Sequence, residues 1–379
     1  MLVMPNIFSN ATVLAMAIAL VVCGCNRSSV KETPITGRDS DPAVTMTARW
    51  QDGKRYIFRV ESVTSSQVPR KNTAQLIQTE TSLAQDLAFS VTDVAPDGSR
   101  ILHMEILTVQ METGRDDGVT MSFDSANKVM QVEDAPQIQR LRRFVGLKLH
   151  FRLSPENKVT RVDGMKELSD RQSGGNNSTR GAASGVIARY FNQQFYRDIV
   201  EMGMLPKTPV KIGDTWAIDR SANAGSGGNP FPVMFTYTFR GWQKRDGTNC
   251  ARLDFTGEFK PASLQTNDSA IRKIARAAAR ANLEEGSITG HSWYSPEHTL
   301  AIETIYNQSI TAKTTTGRRV RTKTTGTNGI EIVEMESETN APPSALVSSN
   351  GPPPVVTTTT TTSHQSTSIK LLEVELVQP

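Results

Sequence analysis

The sequence predicts an α+β fold that is mostly antiparallel β, in which a curved sheet or half-barrel carries two or three packed helices. Three observations lead to this prediction. Apolar and polar residues alternate with a period of two from Lys54 to Asp124, which is typical of strands with one wetter face. A segment from Ser184 to Met202 has the period of an amphipathic helix. Alternation then resumes over the second half of the chain, with turn residues between the runs.

The first 25 residues have the properties of a bacterial lipoprotein export signal. An uncharged apolar run, ATVLAMAIALVVCGC, ends at Gly24 and Cys25, and polar residues follow it. The run is shorter than the roughly 20 residues that a membrane-spanning helix needs. We therefore expect a signal peptide over residues 1–24 and a lipid on Cys25, with simple secretion as the alternative. This places the protein in the cell envelope, anchored to a bacterial membrane on the periplasmic side or at the cell surface.

Composition and cysteine usage exclude several classes of protein. The 42 basic and 38 acidic residues give a net charge of +4, which does not indicate a nucleic-acid binder. With Cys25 lipidated, the mature chain keeps Cys250 alone, so an intramolecular disulfide cannot form. Cys250 lies in a strand-like run without a nearby histidine, which favours a small buried hydrophobe over a nucleophile.

The first half of the domain is predicted to hold strands, a short helix and a hairpin. Residues 25–48 form a flexible tether, and the β-rich domain covers 49–316 and 367–379. The Pro-Asp-Gly turn at 95–98 separates two of the early strands. The segment 136–146 has apolar residues at helical spacing, and a hairpin turns at 154–157.

The segment from Ser184 to Met202 is the clearest helix in the sequence. Its aromatic stripe includes Tyr190, Phe191 and Phe195, and Gly203 follows as a C-cap. The stripe is interpreted as core packing or, alternatively, as the lid of a lipid cavity. Candidate cavity-lining residues are therefore Tyr190, Phe191, Phe195 and Trp216, the last of which lies in the next strand.

The second half returns to strands and then changes character. Alternating runs cover 213–220, 231–244, 249–260, 285–296 and 299–316. An Ala-rich basic helix is predicted over 268–286, either solvated or lying on anionic lipid. Residues 317–366 are rich in Thr, Pro, Ser and Gly, which predicts a disordered loop before a final strand.

Motifs for catalysis or metal binding are absent from the sequence. The five histidines form no HExxH pattern, and no GxSxG, SxxK or Cys-His arrangement occurs. His291 and His298 flank a turn with Glu297 and could share a metal, but a turn that happens to contain histidine is the favoured interpretation. The prediction is a protein that is not an enzyme and has no cofactor or metal.

One segment resembles a known family. Residues Leu205 to Trp216 follow the pattern L-P-x-x-P-V-x-x-G-D-x-W, which is similar to a family of uncharacterised exported bacterial β-rich lipoproteins, a domain of unknown function. The resemblance covers residues 49–316 and the last strand, and it implies no catalytic residues. A looser analogy, at the level of fold alone, is to the periplasmic lipoprotein-carrier fold.

Two functional classes stay open at this point. The first is a non-catalytic structural or interaction protein of the envelope, with a filled core. The second is a binding module or carrier for a lipid or other apolar ligand, held in a cavity between sheet and helix. The predicted partners are a membrane, through the lipid on Cys25, and in the second case an apolar ligand. The volume and lining of any cavity distinguish the two.

Overall fold

The structure, a computed structural model, describes residues 33–69, 76–116, 118–127, 136–173, 190–223, 230–259, 282–324, 331–339 and 355–377. Residues 35–379 make up one compact unit. In the described ranges, no helix has both the length and the apolar character to cross a membrane. The predicted signal peptide and Cys25 lie outside the described residues.

Thirteen strands and three short helices are described. The strands are β1 (Lys54–Pro69), β2 (Leu76–Val94), β3 (Arg100–Arg115), β4 (Gly118–Asp124), β5 (Lys148–Leu153), β6 (Val159–Asp163), β7 (Thr215–Asn223), β8 (Pro230–Arg245), β9 (Thr248–Phe259), β10 (Asn282–Ser295), β11 (Leu300–Thr324), β12 (Glu331–Thr339) and β13 (Val355–Leu376). The helices are α1 (Pro136–Phe144), α2 (Met165–Ser173) and α3 (Gln193–Glu201).

All thirteen strands join one antiparallel sheet. The order is β6-β5-β3-β2-β1-β13-β11-β10-β9-β8-β7, with β4 beside β3 and β12 beside β11. The predicted α+β class, with its half-barrel and carrier-fold analogy, is wrong. The described residues form a large open sheet whose strands reach 25 residues, and each helix has only nine. The alternating pattern continues far enough to give the strands most of the chain, which leaves the helices a minor part.

Strands β1, β2 and β3 follow the alternation read from the sequence. Tyr56, Phe58 and Val60 point into the core and are almost fully buried. The Pro-Asp-Gly turn at 95–98 joins β2 to β3, and the Gly98 N–H donates to the Ala95 carbonyl at 2.9 Å. Period-two patterning therefore predicted these elements correctly.

Of the predicted helix 184–202, the described part bends at Phe191 and Asn192 and forms α3 from Gln193 to Glu201. Asn192 caps it, because its side chain accepts a hydrogen bond from the Phe195 N–H at 2.9 Å. Met202, rather than Gly203, adopts the left-handed conformation that ends it, with φ of 45°. Residues 184–189 lie outside the described residues.

Two side chains hold the carboxyl end of α3 against the sheet. The Val200 carbonyl accepts hydrogen bonds from the Trp50 indole N–H at 3.0 Å and from the Asn157 amide at 3.1 Å. The Glu201 carboxylate accepts from the Val159 N–H at 2.8 Å. These contacts satisfy groups that a helix end leaves open, and they fix the position of α3 over the strands.

The predicted disordered loop at 317–366 is largely strand where the structure describes it. Residues 317–324, 331–339 and 355–366 belong to β11, β12 and β13. Thr357 to Thr362 pair with Thr316 to Thr311, and threonine is β-branched and suits a strand. The low hydrophobicity of the segment was misleading, because residues 355–362 pair with β11 and residues 363–366 pair with both β11 and β1. Residues 325–330 and 340–354 lie outside the described residues.

The remaining helix predictions have mixed outcomes. The short helix predicted at 136–146 is present as α1. The Ala-rich helix predicted over 268–286 falls mainly on residues outside the described ranges, and its last residues, from Asn282, belong to β10. Helix α2 was not predicted, since its sequence is polar almost throughout.

The buried apolar residues form several clusters, and two parts of this core frame a cavity. The larger part packs α1 and α3 against β1, β2, β3 and β5, around the ring cluster of Trp50, Tyr56, Phe58 and Phe89. A smaller part lies over β8, β9 and β10, around Tyr237 and Phe255. A cavity lies between these two parts, beneath α3.

Candidate functional site

A cavity of about 160 Å³ lies between α3 and the sheet. Its wall is mostly apolar and aromatic, with a few polar groups. The apolar and aromatic lining residues are Phe58, Tyr190, Phe195, Ile199, Met202, Met204, Phe235, Tyr237, Phe255, Ile288, Ala301 and Ile369. The polar lining residues are Gln194, Asp198, Arg220, Thr304, Tyr306, Gln308 and Gln365.

Helix α3 and the segment after it form the roof. Phe195, Asp198 and Ile199 are three and four residues apart and therefore share one helix face. Two methionines then connect the roof to the sheet: the Ala301 N–H contacts the Met202 sulfur at 3.1 Å, and the Ser292 hydroxyl contacts the Met204 sulfur at 3.1 Å. These two contacts therefore hold the segment after α3 at a defined distance from the sheet.

A glycine in β10 shapes the floor. Gly290 stands opposite Phe255 on β9 and Tyr306 on β11. A Cβ atom there would lie 2.4 Å from the Ile305 carbonyl oxygen and 2.6 Å from the Phe255 ring. Position 290 therefore accepts only glycine, and the side chains of Phe255 and Tyr306 occupy the space beside it.

An ion pair forms one polar end of the cavity. The Arg220 guanidinium on β7 donates to the Asp198 carboxylate on α3 at 2.6 Å, and the Gln194 amide donates to the same oxygen at 2.9 Å. Burial opposes the charge of Arg220, but Asp198 and the Tyr237 hydroxyl more than offset it, so the pKa of Arg220 is raised. Burial also raises the pKa of Tyr237, which keeps its hydroxyl protonated.

A chain of uncharged groups forms another polar section of the wall. The Gln365 amide donates to the Thr367 hydroxyl at 2.9 Å, which lies 3.1 Å from the Ser62 hydroxyl. Ser62 in turn contacts the Tyr190 hydroxyl. These buried groups satisfy one another, and they hold the Tyr190 ring at the cavity wall.

The four residues predicted to line a cavity separate into two pairs. Tyr190 and Phe195 line it. Phe191 is buried in the core and stacks on Phe144, with ring centroids 4.1 Å apart. Trp216 stacks on the far side of Tyr237 at 5.8 Å and donates its indole N–H to the Met204 carbonyl at 2.9 Å. Trp216 therefore supports a lining residue without lining the cavity itself.

Sequence reasoning missed the polar end of the cavity. Asp198 stands among the apolar residues of the predicted helix stripe, and Arg220 lies in β7, the strand that follows the L-P-x-x-P-V pattern. A charged residue, Asp198, next to the apolar face of the helix was the one indication of a polar group at the cavity. Its partner in the next element could not be known without the packing of α3 on β7.

The structure shows the surroundings of the candidate metal-binding and nucleophilic residues. No cluster of three or more His, Cys, Asp or Glu side chains there could hold a metal ion. His291 lies 2.7 Å from Asp254, while the His298 N–H donates to the Ser295 hydroxyl within a turn. Cys250 is buried as predicted, and burial raises the pKa of its thiol to about 12, which leaves it protonated at neutral pH.

Fold and site together define a class: an antiparallel β domain with a mostly apolar cavity under a short helix. Residues 97–283 match DUF6263, a family of unknown function. The prediction of a domain of unknown function is thus confirmed for residues 97–283. No curated protein matches the sequence.

Two solved structures are similar to the chain in parts. One, entitled "Lipid-protein interactions in lipovitellin", has a TM-score of 0.44 and 10% identity, and the match covers 87% of this chain and 26% of the other. The second is an outer membrane channel from Pseudomonas putida F1, with a TM-score of 0.20 and 9% identity over 88% of this chain and 99% of the channel.

Proposed function

We propose that this protein is a non-catalytic envelope protein that binds an apolar ligand in the cavity beneath α3. The observation that carries the proposal is the cavity itself, about 160 Å³ of space with a mainly apolar wall. Apolar voids of roughly 150 Å³ stay dry and bind molecules such as benzene. The ligand therefore places one ring, or a short alkyl segment, inside the cavity.

Energetics support a ligand over an empty void. The cavity reaches solvent at the partly exposed side chains of Arg220 and Asp198, so its apolar wall is in contact with water, and removing apolar surface from water is favourable by roughly 25 cal/mol per Å². Protein interiors are otherwise close-packed. The roof is held open by the Trp50 and Asn157 contacts to Val200, and the floor by the sheet around Gly290. A ligand that fills the space recovers part of this free energy.

The experiment fills the cavity from within. Ala301 lines it, whereas Ala251 is fully buried in a packed cluster, so Ala301→Leu and Ala251→Leu form a matched pair. Ala301→Leu should keep or raise the free energy of unfolding, and calorimetry should show that it no longer binds toluene. Ala251→Leu should lower the free energy of unfolding by about 1–3 kcal/mol, because the larger side chain overpacks the core there.

Two results would overturn the proposal. The first is failure of toluene at millimolar concentration to bind the wild-type protein or raise its melting temperature. The second is a loss of stability in Ala301→Leu equal to that in Ala251→Leu. Either result would favour the other class, a structural or interaction protein with a filled core.

The proposal includes a lipid anchor at Cys25, supported by the apolar run that ends at Gly24. Cells that express the wild-type protein, Cys25→Ser or Cys23→Ser would be labelled with a fatty-acid probe. Label should be lost in Cys25→Ser and kept in Cys23→Ser. Equal labelling of all three would contradict the anchor and its envelope location.

A further inference from the structure

We propose that the ligand of the cavity is an uncharged amphiphile, a molecule with a short apolar body and a neutral head such as a hydroxyl or carbonyl group. The head binds at the Asp198–Arg220 pair. This inference rests on the proposed function and names the class of ligand for the same site.

The pair has no net charge but offers hydrogen bonds of both kinds. A guanidinium has five N–H donors and a carboxylate has about four acceptor positions. The contact between Arg220 and Asp198 at 2.6 Å uses a part of this capacity. The Tyr237 hydroxyl, kept protonated by burial, adds a further group on the same wall. A hydroxyl head can donate to Asp198 and accept from Arg220.

A ligand with a charged head, whether anionic or cationic, should bind less tightly than a neutral one. A carboxylate at this site would stand beside the Asp198 carboxylate, and an ammonium would stand beside the Arg220 guanidinium. Each would also lose hydration next to the apolar side chains of Met204, Phe235 and Phe255. An uncharged head loses less hydration and regains hydrogen bonds from the pair.

The geometry of the sheet orients the ligand. Arg220 lies on β7 and Phe58 on β1, and both line the cavity. The side chains of Arg220 and Asp198 are 20% and 34% exposed, whereas Phe58 is 1% exposed. The head therefore lies at the end nearer solvent, and the apolar body extends toward Phe58.

The test compares three ligands of equal length at pH 7: 1-hexanol, hexanoate and hexylammonium, with toluene as the apolar reference. Calorimetry should give 1-hexanol at least tenfold tighter binding than either ion. Asp198→Asn leaves Arg220 without its counter-charge and should shift the preference toward hexanoate by tenfold or more. Arg220→Gln should shift it toward hexylammonium. Asp246→Asn, which removes a surface pair with Lys370, is the matched control and should leave the ranking unchanged.

The outcomes separate this inference from the proposed function. Binding of toluene together with equal or tighter binding of hexanoate to the wild-type protein would overturn the neutral-head inference and leave the cavity proposal standing. Failure of toluene and all three ligands would overturn both. If the charge variants do not fold, Tyr237→Phe replaces them: it should weaken 1-hexanol several-fold and leave toluene unchanged, and equal affinities would contradict the inference.

Discussion

Phe191 and Phe195 lie four residues apart, yet the structure assigns them different surroundings. Phe191 is 0% exposed and stacks on Phe144. Phe195 is half-buried, touches the rings of Tyr190 and Tyr196 edge-on, and borders the cavity. Truncation of each to alanine therefore tests whether Phe195 borders a cavity while Phe191 fills a packed core.

The expected losses differ because only one change creates a new void. Phe191→Ala removes a fully packed ring and should lower the free energy of unfolding by about 3–5 kcal/mol. Phe195→Ala removes a partly buried ring from the edge of an existing void. It should lose only part of the roughly 1.5–3 kcal/mol of full burial, about 1 kcal/mol. The difference between the two variants should be at least about 2 kcal/mol.

Urea unfolding of both variants measures this difference, and an unchanged m-value would show that the unfolding transition is the same. Toluene binding is measured on the same samples, since Phe195→Ala enlarges the cavity and should change affinity while Phe191→Ala should not. Equal losses of stability, or a larger loss for Phe195→Ala, would refute the reasoning and show that both rings fill one packed core.

Two further predictions concern the sheet. Gly290→Ala should lower stability by about 3 kcal/mol or prevent folding, because its Cβ would press on the Ile305 carbonyl. Gly53→Ala, in open space with φ of +68°, should lose only about 1–2 kcal/mol by urea unfolding, and similar losses at both sites would contradict the assigned floor. Burial, then His150 and Lys148, lower the pKa of His103, so the unfolded chain binds its proton more readily. Stability should therefore fall as pH drops below about 6.5, and His103→Gln should reduce that fall between pH 7.5 and 5.5 while exposed His364→Gln should not.

The sequence predicted the elements whose pattern is local. Alternation located β1, β2 and β3, and the spacing of Ile138, Leu141 and Phe144 located α1. It predicted one continuous helix from Ser184 to Met202, whereas the described chain bends at Phe191 and Asn192 before α3 begins at Gln193. It also treated Thr357 to Thr362 as disorder, since hydropathy takes no account of the pairing of these residues with β11.

The candidate site was predictable only in part, and for a similar reason. Tyr190 and Phe195 belong to the stripe and could be named from spacing. Phe191 belongs to the same stripe but stacks on Phe144 in the core, and residue spacing alone does not predict this direction of its side chain. Asp198 and Arg220 lie in two elements with unrelated sequence patterns, so their pairing could be identified only from the three-dimensional structure.

The position of β13 has a consequence for how the sheet is assembled. Strands β1 to β6 form one array and β7 to β12 a second, and among the described strands β13 alone pairs with both β1 and β11. It is synthesised after all the others, and Leu376 pairs with Lys54 from the opposite end of the domain. Until it arrives, two long strand edges stay open, and open edges are templates for aggregation. Pairing between residues so far apart in the sequence slows folding, and a chain cut before β13 would leave the edges of β1 and β11 unpaired.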